Sequence, residues 1–400
     1  MTPGRLARLR ASTLVGVAAL AFWAAAIPHA VARYFDGDPR GLLRPGWSFP
    51  HPAALEGAPM LDADGYDGQF FAALATDPLL LRPETPRMLD APVYRAGRIG
   101  LPLLAWILAG GRDRAAVFVY QLLSWTLGVL AVWVVARWLE DEGDSPWWAA
   151  SLVLAGGVVS NLMGSMPDLA GTTLMAFALW RHARGSAGVV PSLVGAALVR
   201  ETSVIAAAAV AIAELRARRP WAAARAVGLP LLVLGAWRAY VIWRIGPDGL
   251  DVPGGNLALP LAWLPEKLAQ PFDLAEVLAL IGLGLSFAGL PALLPRIARW
   301  TPVETTYAGL AALCLLLSRL NYVVSWWGYG RTVLPLAFLS LVVAARARAA
   351  WSRWLFRAVA LAWAGVGTVM LYRWAAGLAA ALLVIAALRR GRRPAGAASA

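Results

Sequence analysis

Apolar stretches long enough to cross a bilayer recur between residues 14 and 388, and the arginines gather where those stretches end. A hydrocarbon core of about 30 Å offers no water to backbone groups, so a chain crossing it repeatedly must fold as helices or as a closed barrel. Continuous apolar runs, rather than alternating ones, select helices. The composition agrees, with 60% hydrophobic and 15% charged residues and a mean hydropathy of +0.62. The expected fold class is all-α, a polytopic transmembrane helical bundle.

A net charge of +13 would point to nucleic acid in a soluble protein. Here the basic residues flank apolar runs, which is the pattern of membrane topology and of contact with anionic lipid. Membrane lipids are therefore expected partners and nucleic acid is not. Lys267 is the only lysine, and the Ala, Arg, Gly and Trp bias resembles that of a GC-rich bacterial genome; the expected location is a bacterial cytoplasmic (inner) membrane. Cys314 is the single cysteine, which excludes an intramolecular disulfide. His29, His51 and His182 are scattered, so no His/Cys metal spacing exists. A divalent metal held by carboxylates stays open.

Arginine placement sets the topology. Arg5, Arg8 and Arg10 precede an apolar run of about 19 residues, longer than a signal-peptide core, and Trp23, Pro28 and His29 replace a small-residue cleavage site. Residues 12–32 are expected to form an uncleaved first transmembrane helix. Residues 33–114 then form a periplasmic loop containing interfacial helices. Residues 115–388 hold the remaining helices, and 389–400, opening with Arg389, Arg390, Arg392 and Arg393, form a cytoplasmic tail. The whole of 1–400 reads as one integral membrane domain of about twelve spans with both termini cytoplasmic. Residues 99–109 lie between two outside segments and are too short to span, so they are expected as an interfacial or re-entrant helix. Residues 189–199 and 202–215 must form a hairpin with arms of roughly 16 to 21 Å. Arg200-Glu201 at its turn would then sit at membrane depth, where charges line a cavity or pair with each other.

The long first loop holds Asp36, Asp38, Glu56, Asp62, Asp64, Asp67, Asp77, Glu84 and Asp90, nine of the 23 acidic residues. A solvated linker would carry the same acids, but a concentration of carboxylates beside the first helix is also a candidate site. The topology brings Asp64, Asp67 and Gln69, Asp90 with Tyr94, Arg95 and Arg98, Asp168, and Arg200-Glu201 to the outer side. Arg238 and Arg244, and a group containing Asn321, Trp326, Trp327, Tyr329 and Arg331, lie near the same side. A carboxylate can deprotonate a hydroxyl acceptor, and arginines hold a phosphate leaving group by charge-assisted bonds. Tryptophans stack on sugars, though an interfacial belt uses them equally well.

Tyr66-Asp67-Gly68-Gln69-Phe70 resembles the first-loop motif of the GT-C superfamily of integral-membrane glycosyltransferases. In that superfamily an acidic residue after the first span begins a helix at the membrane surface. Pro92-Val93-Tyr94-Arg95 is similar to its Pro-rich lead into an interfacial helix. Pro167-Asp168 resembles its second acidic motif, and Arg200 falls where members carry a basic residue at a short helix pair. The likeness covers roughly residues 10–215 and is nearest to bacterial members carrying Tyr-Asp-Gly-Gln, beside protein mannosyltransferases and aminoarabinose transferases. It implies transfer of a sugar from a polyprenyl-phosphate carrier to a glycan, lipid or protein acceptor at a site facing the periplasm. Asp67 would be the base, or orient the acceptor, with Asp64 or Asp168 assisting. Arg95, Arg98 and Arg200 are candidates for the carrier phosphate, and Gln69, Asp90, Tyr94, Glu201 and Arg331 for other substrate contacts. Gly68 replaces the second acid of the usual Asp-Glu pair, so a two-carboxylate metal site would need Asp64. The competing readings are a polytopic transporter or lipid flippase and a non-catalytic envelope-assembly protein. A site near the bilayer midplane would favour transport.

Overall fold

The computed structural model describes residues 10–246, 258–317 and 326–371, together with Leu383. Their regular structure is helical throughout. The helices are α1 (Ala11–Tyr34), α2 (Gly68–Thr76), α3 (Pro92–Ala96), α4 (Gly100–Leu108), α5 (Asp113–Asp141), α6 (Gly156–Met163), α7 (Asp168–Ala183), α8 (Val189–Val199), α9 (Val204–Arg216), α10 (Pro220–Ile245), α11 (Leu264–Leu268), α12 (Leu274–Leu293), α13 (Pro302–Leu315), α14 (Trp326–Thr332), α15 (Leu334–Arg346) and α16 (Ala350–Leu371).

The expectation of about twelve spans is corrected. Among the described residues, five helices are long and apolar enough to cross a membrane: α1, α5, α10, α12 with the turn that continues it to Arg299, and α16. A sixth is reached if a bent pair counts as one span. The apolar run over 147–166 forms that pair, a 3₁₀ segment Pro146–Leu154 and α6 meeting at 54°. The break falls at Ala155, whose extended backbone (φ −61°, ψ 130°) stops the helix. The other expected spans fall short on length. Helices α7, α8, α9, α13 and α15 have 11 to 16 residues, or about 16–24 Å against a core of about 30 Å. The tail expected at 389–400 and Asn321 lie outside the described residues.

Two polar layers cap the bundle. At one, the acids ending α5 each take an arginine or a hydroxyl from elsewhere. Glu140 accepts from Ser12 of α1 (2.7 Å) and Asp141 pairs with Arg184 (2.5 Å). Glu142 pairs with Arg346 of α15 (2.8 Å), and Asp144 with Arg357 of α16 (2.7 Å). This is the end that arginine placement assigns to the cytoplasm. The opposite layer is built by the first loop, which has a core of its own. Leu43, Leu55, Phe70, Phe71, Leu74, Leu89, Val93 and Ile99 pack with Tyr120, Met166, Val199 and Val241 from the bundle. Helix α10 clasps this loop from outside: Trp237 donates to the Ala96 carbonyl (2.8 Å), Tyr240 to Leu79 (2.6 Å) and Arg244 to Leu80 (3.1 Å). The opposite face of α10 is bare, with Leu231, Leu232 and Trp243 exposed as for lipid.

Candidate functional site

Helix α2 is buried on every side, since Gln69-Phe70-Phe71-Ala72-Ala73-Leu74-Ala75 are good helix formers with no polar stripe to show to solvent. It ends before Pro78, which disfavours the helical conformation of Asp77. Asp77 then uses its buried carboxylate to accept from Leu81 N, Arg82 N and Thr85 Oγ1, fixing the next turn. At the other end Gly68 decides where α2 docks. A Cβ there would meet the Gly164 carbonyl oxygen at 2.1 Å. Only glycine lets α2 close on the turn preceding Pro167-Asp168. A glutamate at 68 would not fit, so the missing second acid of the motif is a packing requirement in this chain.

That approach brings together acids and arginines distant in sequence. Asp67 directly precedes α2, yet its carboxylate caps nothing. It is held by Arg95 (2.7 Å) and by Arg331 of α14 (2.9 Å). Arg95 also grips Asp90 (2.7 Å) and lies over the Phe70 ring (5.1 Å). Arg331 lies over the Tyr66 ring (5.0 Å) and reaches Asp168 at 3.8 Å. Asp168 is bonded to Arg200, with side chains 5% and 7% exposed. Arg98 pairs with Glu201 through two bonds (2.7 and 2.9 Å), donates to the Tyr94 hydroxyl (2.5 Å) and stacks on that ring (4.3 Å). Asp67, Asp90, Asp168 and Glu201 thus balance Arg95, Arg98, Arg200 and Arg331 in formal charge. Burial pushes the Asp67 carboxyl up, but the charges and hydrogen bonds of Arg95 and Arg331 outweigh it and hold the group well below the usual carboxylate range.

Several placements differ from the sequence reading. Arg200 and Glu201 do not pair with each other. The extended backbone of Arg200 (φ −151°, ψ 116°) sends successive side chains to opposite sides, Arg200 to Asp168 and Glu201 to Arg98. Gln69 is a brace: its Oε1 accepts from Gly46 N (2.9 Å) and its Nε2 donates to the Asp64 carbonyl (2.7 Å). Asp64 is exposed and contributes that carbonyl, not its carboxylate, to the site. Among the described residues no group of three or more His, Cys, Asp or Glu could hold a metal ion. Both oxygens of Asp67 face arginines, so the donor set does not fit a divalent cation.

Further residues join the site; the sequence had named Tyr66, Arg238 and Tyr329, but not Glu276, and Lys267 only as the single lysine. Tyr66 carries Arg331 on its ring. Lys267, Glu276 and Tyr329 form a second buried group, with Lys267 bonded to Glu276 and the Tyr329 hydroxyl donating to the same carboxylate (2.6 Å). A glutamate inside an apolar run and the only lysine were the available signals. Since α14 carries both Tyr329 and Arg331, it joins this group to the Asp67 cluster. Arg238 lies against Gly97, where a Cβ would fall 2.4 Å from its Cζ. Among the described residues it is the one arginine that is not exposed and yet makes no hydrogen bond, ion pair or ring contact. No family model matches the chain, and no curated protein or solved structure matches it either.

Proposed function

We propose that this protein is a GT-C-like glycosyltransferase, moving a sugar from a polyprenyl-phosphate carrier to a glycan, lipid or protein acceptor at the outer face of the bacterial cytoplasmic membrane. The observation that carries the reading is the Asp67 carboxylate, set at the start of a buried helix between Arg95 and Arg331 and one arginine away from Asp168.

In this reading the acceptor hydroxyl attacks the anomeric carbon as Asp67 takes its proton. The bond from that carbon to the carrier phosphate oxygen breaks, and the phosphate leaves with the electron pair. A carboxylate clamped by two arginines is a weak base, so the clamp must loosen. The donor phosphate supplies the means. It competes with Asp67 for Arg331 and Arg95, and as it gains them the carboxylate recovers proton affinity beside the acceptor. Arg95, Arg98 and Arg200 arrive already neutralised, so the first anchor for the phosphate is Arg238, the half-buried cation with no partner among the described residues. The exposed apolar face of α10 beside it suits the carrier's hydrocarbon chain. Asp168 positions Arg200 and Arg331, and Gln69 braces the loop.

Transfer is preferred over transport because the described charges gather in layers at the two ends of the bundle. A midplane site with access from both sides would have favoured a transporter or flippase. The test is turnover of a polyprenyl-phosphate sugar by purified protein, joined to mass spectrometry of envelope glycans with and without the gene. Accumulation of the lipid-linked sugar on deletion is the expected result. An unchanged envelope together with no turnover would remove the reading.

A further inference from the structure

A second site lies at the other end of the bundle, about 20 Å from the Asp67 cluster, since Arg331 precedes the 13 residues of α15 and Arg346 ends them. There a cavity of about 340 Å³ opens between α12, α13, α15 and the start of α16. Leu293, Val343 and the buried Phe356 form its apolar wall. Its lining also carries Arg296, Arg299, Arg346 and Arg348 against Glu142 and Glu304, an excess of two positive charges. Both glutamates are engaged by Arg346, at 2.8 and 3.3 Å, and Glu304 also caps α13 through Thr301. Arg296, Arg299 and Arg348 make no side-chain hydrogen bond or ion pair among the described residues.

An independent feature adjoins these arginines. Arg296 and Arg299 sit on a 3₁₀ turn, Leu294–Arg299, that also bears Leu294 and Ile297, 56% and 53% exposed. With three residues per turn, Leu294 and Ile297 share one edge and Arg296 and Arg299 share another. A turn with one apolar and one cationic edge, beside a cavity that is part apolar and part cationic, fits a molecule with the same two halves.

We propose that this cavity binds the phosphate headgroup of an anionic phospholipid from the leaflet on that side, with its acyl chains running over Leu294 and Ile297. Basic pockets between membrane helices on the cytoplasmic side recognise such headgroups, and each arginine near the surface contributes about 1 kcal/mol, or roughly fivefold in affinity. Losing all three free arginines should therefore weaken binding about a hundredfold.

The experiment is a titration of the detergent-purified protein with phosphatidylglycerol, followed by native mass spectrometry and thermal melting. Phosphatidylcholine and inorganic phosphate serve as separate arms. Expected are retention of phosphatidylglycerol over phosphatidylcholine, loss of that preference in Arg296→Ala/Arg299→Ala/Arg348→Ala, and weakened phosphatidylglycerol binding in Leu294→Ser/Ile297→Ser. The arginines are exposed and unpaired, so the triple variant should keep its helical content, measured alongside. Equal retention of both lipids, or a triple variant that binds like the parent, overturns the site. Protection by inorganic phosphate equal to that by phosphatidylglycerol overturns the lipid as its ligand. None of these readouts depends on glycosyl transfer.

Discussion

Replacing Gly68 by alanine tests whether the approach of α2 to the Gly164 turn assembles the site. The added Cβ would lie 2.1 Å from the Gly164 oxygen, and real Cβ atoms essentially never come within 3.0 Å of such a neighbour. Both partners are backbone, so α2 and the Pro167-Asp168 turn must part by about 1 Å. Overpacking of this kind costs about 1–3 kcal/mol. Alanine's better helix propensity returns at most about 1 kcal/mol, leaving a net loss of up to about 2 kcal/mol even with that full return. The same displacement moves Asp67 away from Asp168, and a misplacement of about 1 Å at a reacting centre costs about a hundredfold in rate. Thermal melting in detergent and turnover of a polyprenyl-phosphate sugar should therefore both fall, turnover far more than stability. Gly68→Glu, which would create the Asp-Glu pair of the GT-C motif that this loop resembles, should be worse than alanine. Parental melting and turnover in Gly68→Ala would refute the packing argument.

Four further outcomes are expected. Arg200→Ala should lower the stability of the folded protein by about 3–5 kcal/mol by stranding buried Asp168, and Arg200→Ala/Asp168→Ala should recover part of that loss; strictly additive losses on chemical unfolding would contradict the pairing. Arg238→Ala should weaken donor binding at least about tenfold with little change in melting, because it breaks no ion pair; unaltered donor affinity would return the phosphate to the other arginines. Asp67 has a folded-state pKa below its unfolded value of about 3.9, so its stabilisation is fully present above about pH 4 and is lost as pH falls toward the folded value. Asp67→Asn should accordingly flatten the acid limb of a stability-against-pH curve, and an unchanged limb would show that the clamp contributes nothing. A reporter fused after Arg114 should read periplasmic and one after Glu142 cytoplasmic, as α5 joins them in one passage; the same reading from both would overturn the sidedness.

The parts of this structure legible in the sequence are those set by local pattern. Tyr66-Asp67-Gly68-Gln69 marked the start of a helix only through its resemblance to a first-loop motif, and α2 does begin at Gly68. The all-helical class followed from apolar continuity. Span number did not, because hydropathy reports composition and not whether a helix stays straight: the run at 147–166 is apolar throughout yet breaks at Ala155. Pairing was the other gap. Arg98 and Glu201 are 103 residues apart, and Asp67 and Arg331 are 264 apart. Neighbouring charges such as Arg200-Glu201 suggest a bond that one extended residue turns into two separate ones. Gly68 read as a missing acid because the carbonyl it accommodates lies in a distant turn.

The most direct test of the central claim is turnover of a polyprenyl-phosphate-linked sugar by the purified protein and its Asp67→Asn variant, with folded amount and donor binding measured on the same samples. The substitution keeps the size and some hydrogen bonding of the side chain but removes the base. Expected is turnover by the parent, a loss of at least about a hundredfold in Asp67→Asn, and donor binding retained through the arginines. Full turnover in Asp67→Asn would contradict the assignment of Asp67 as the base.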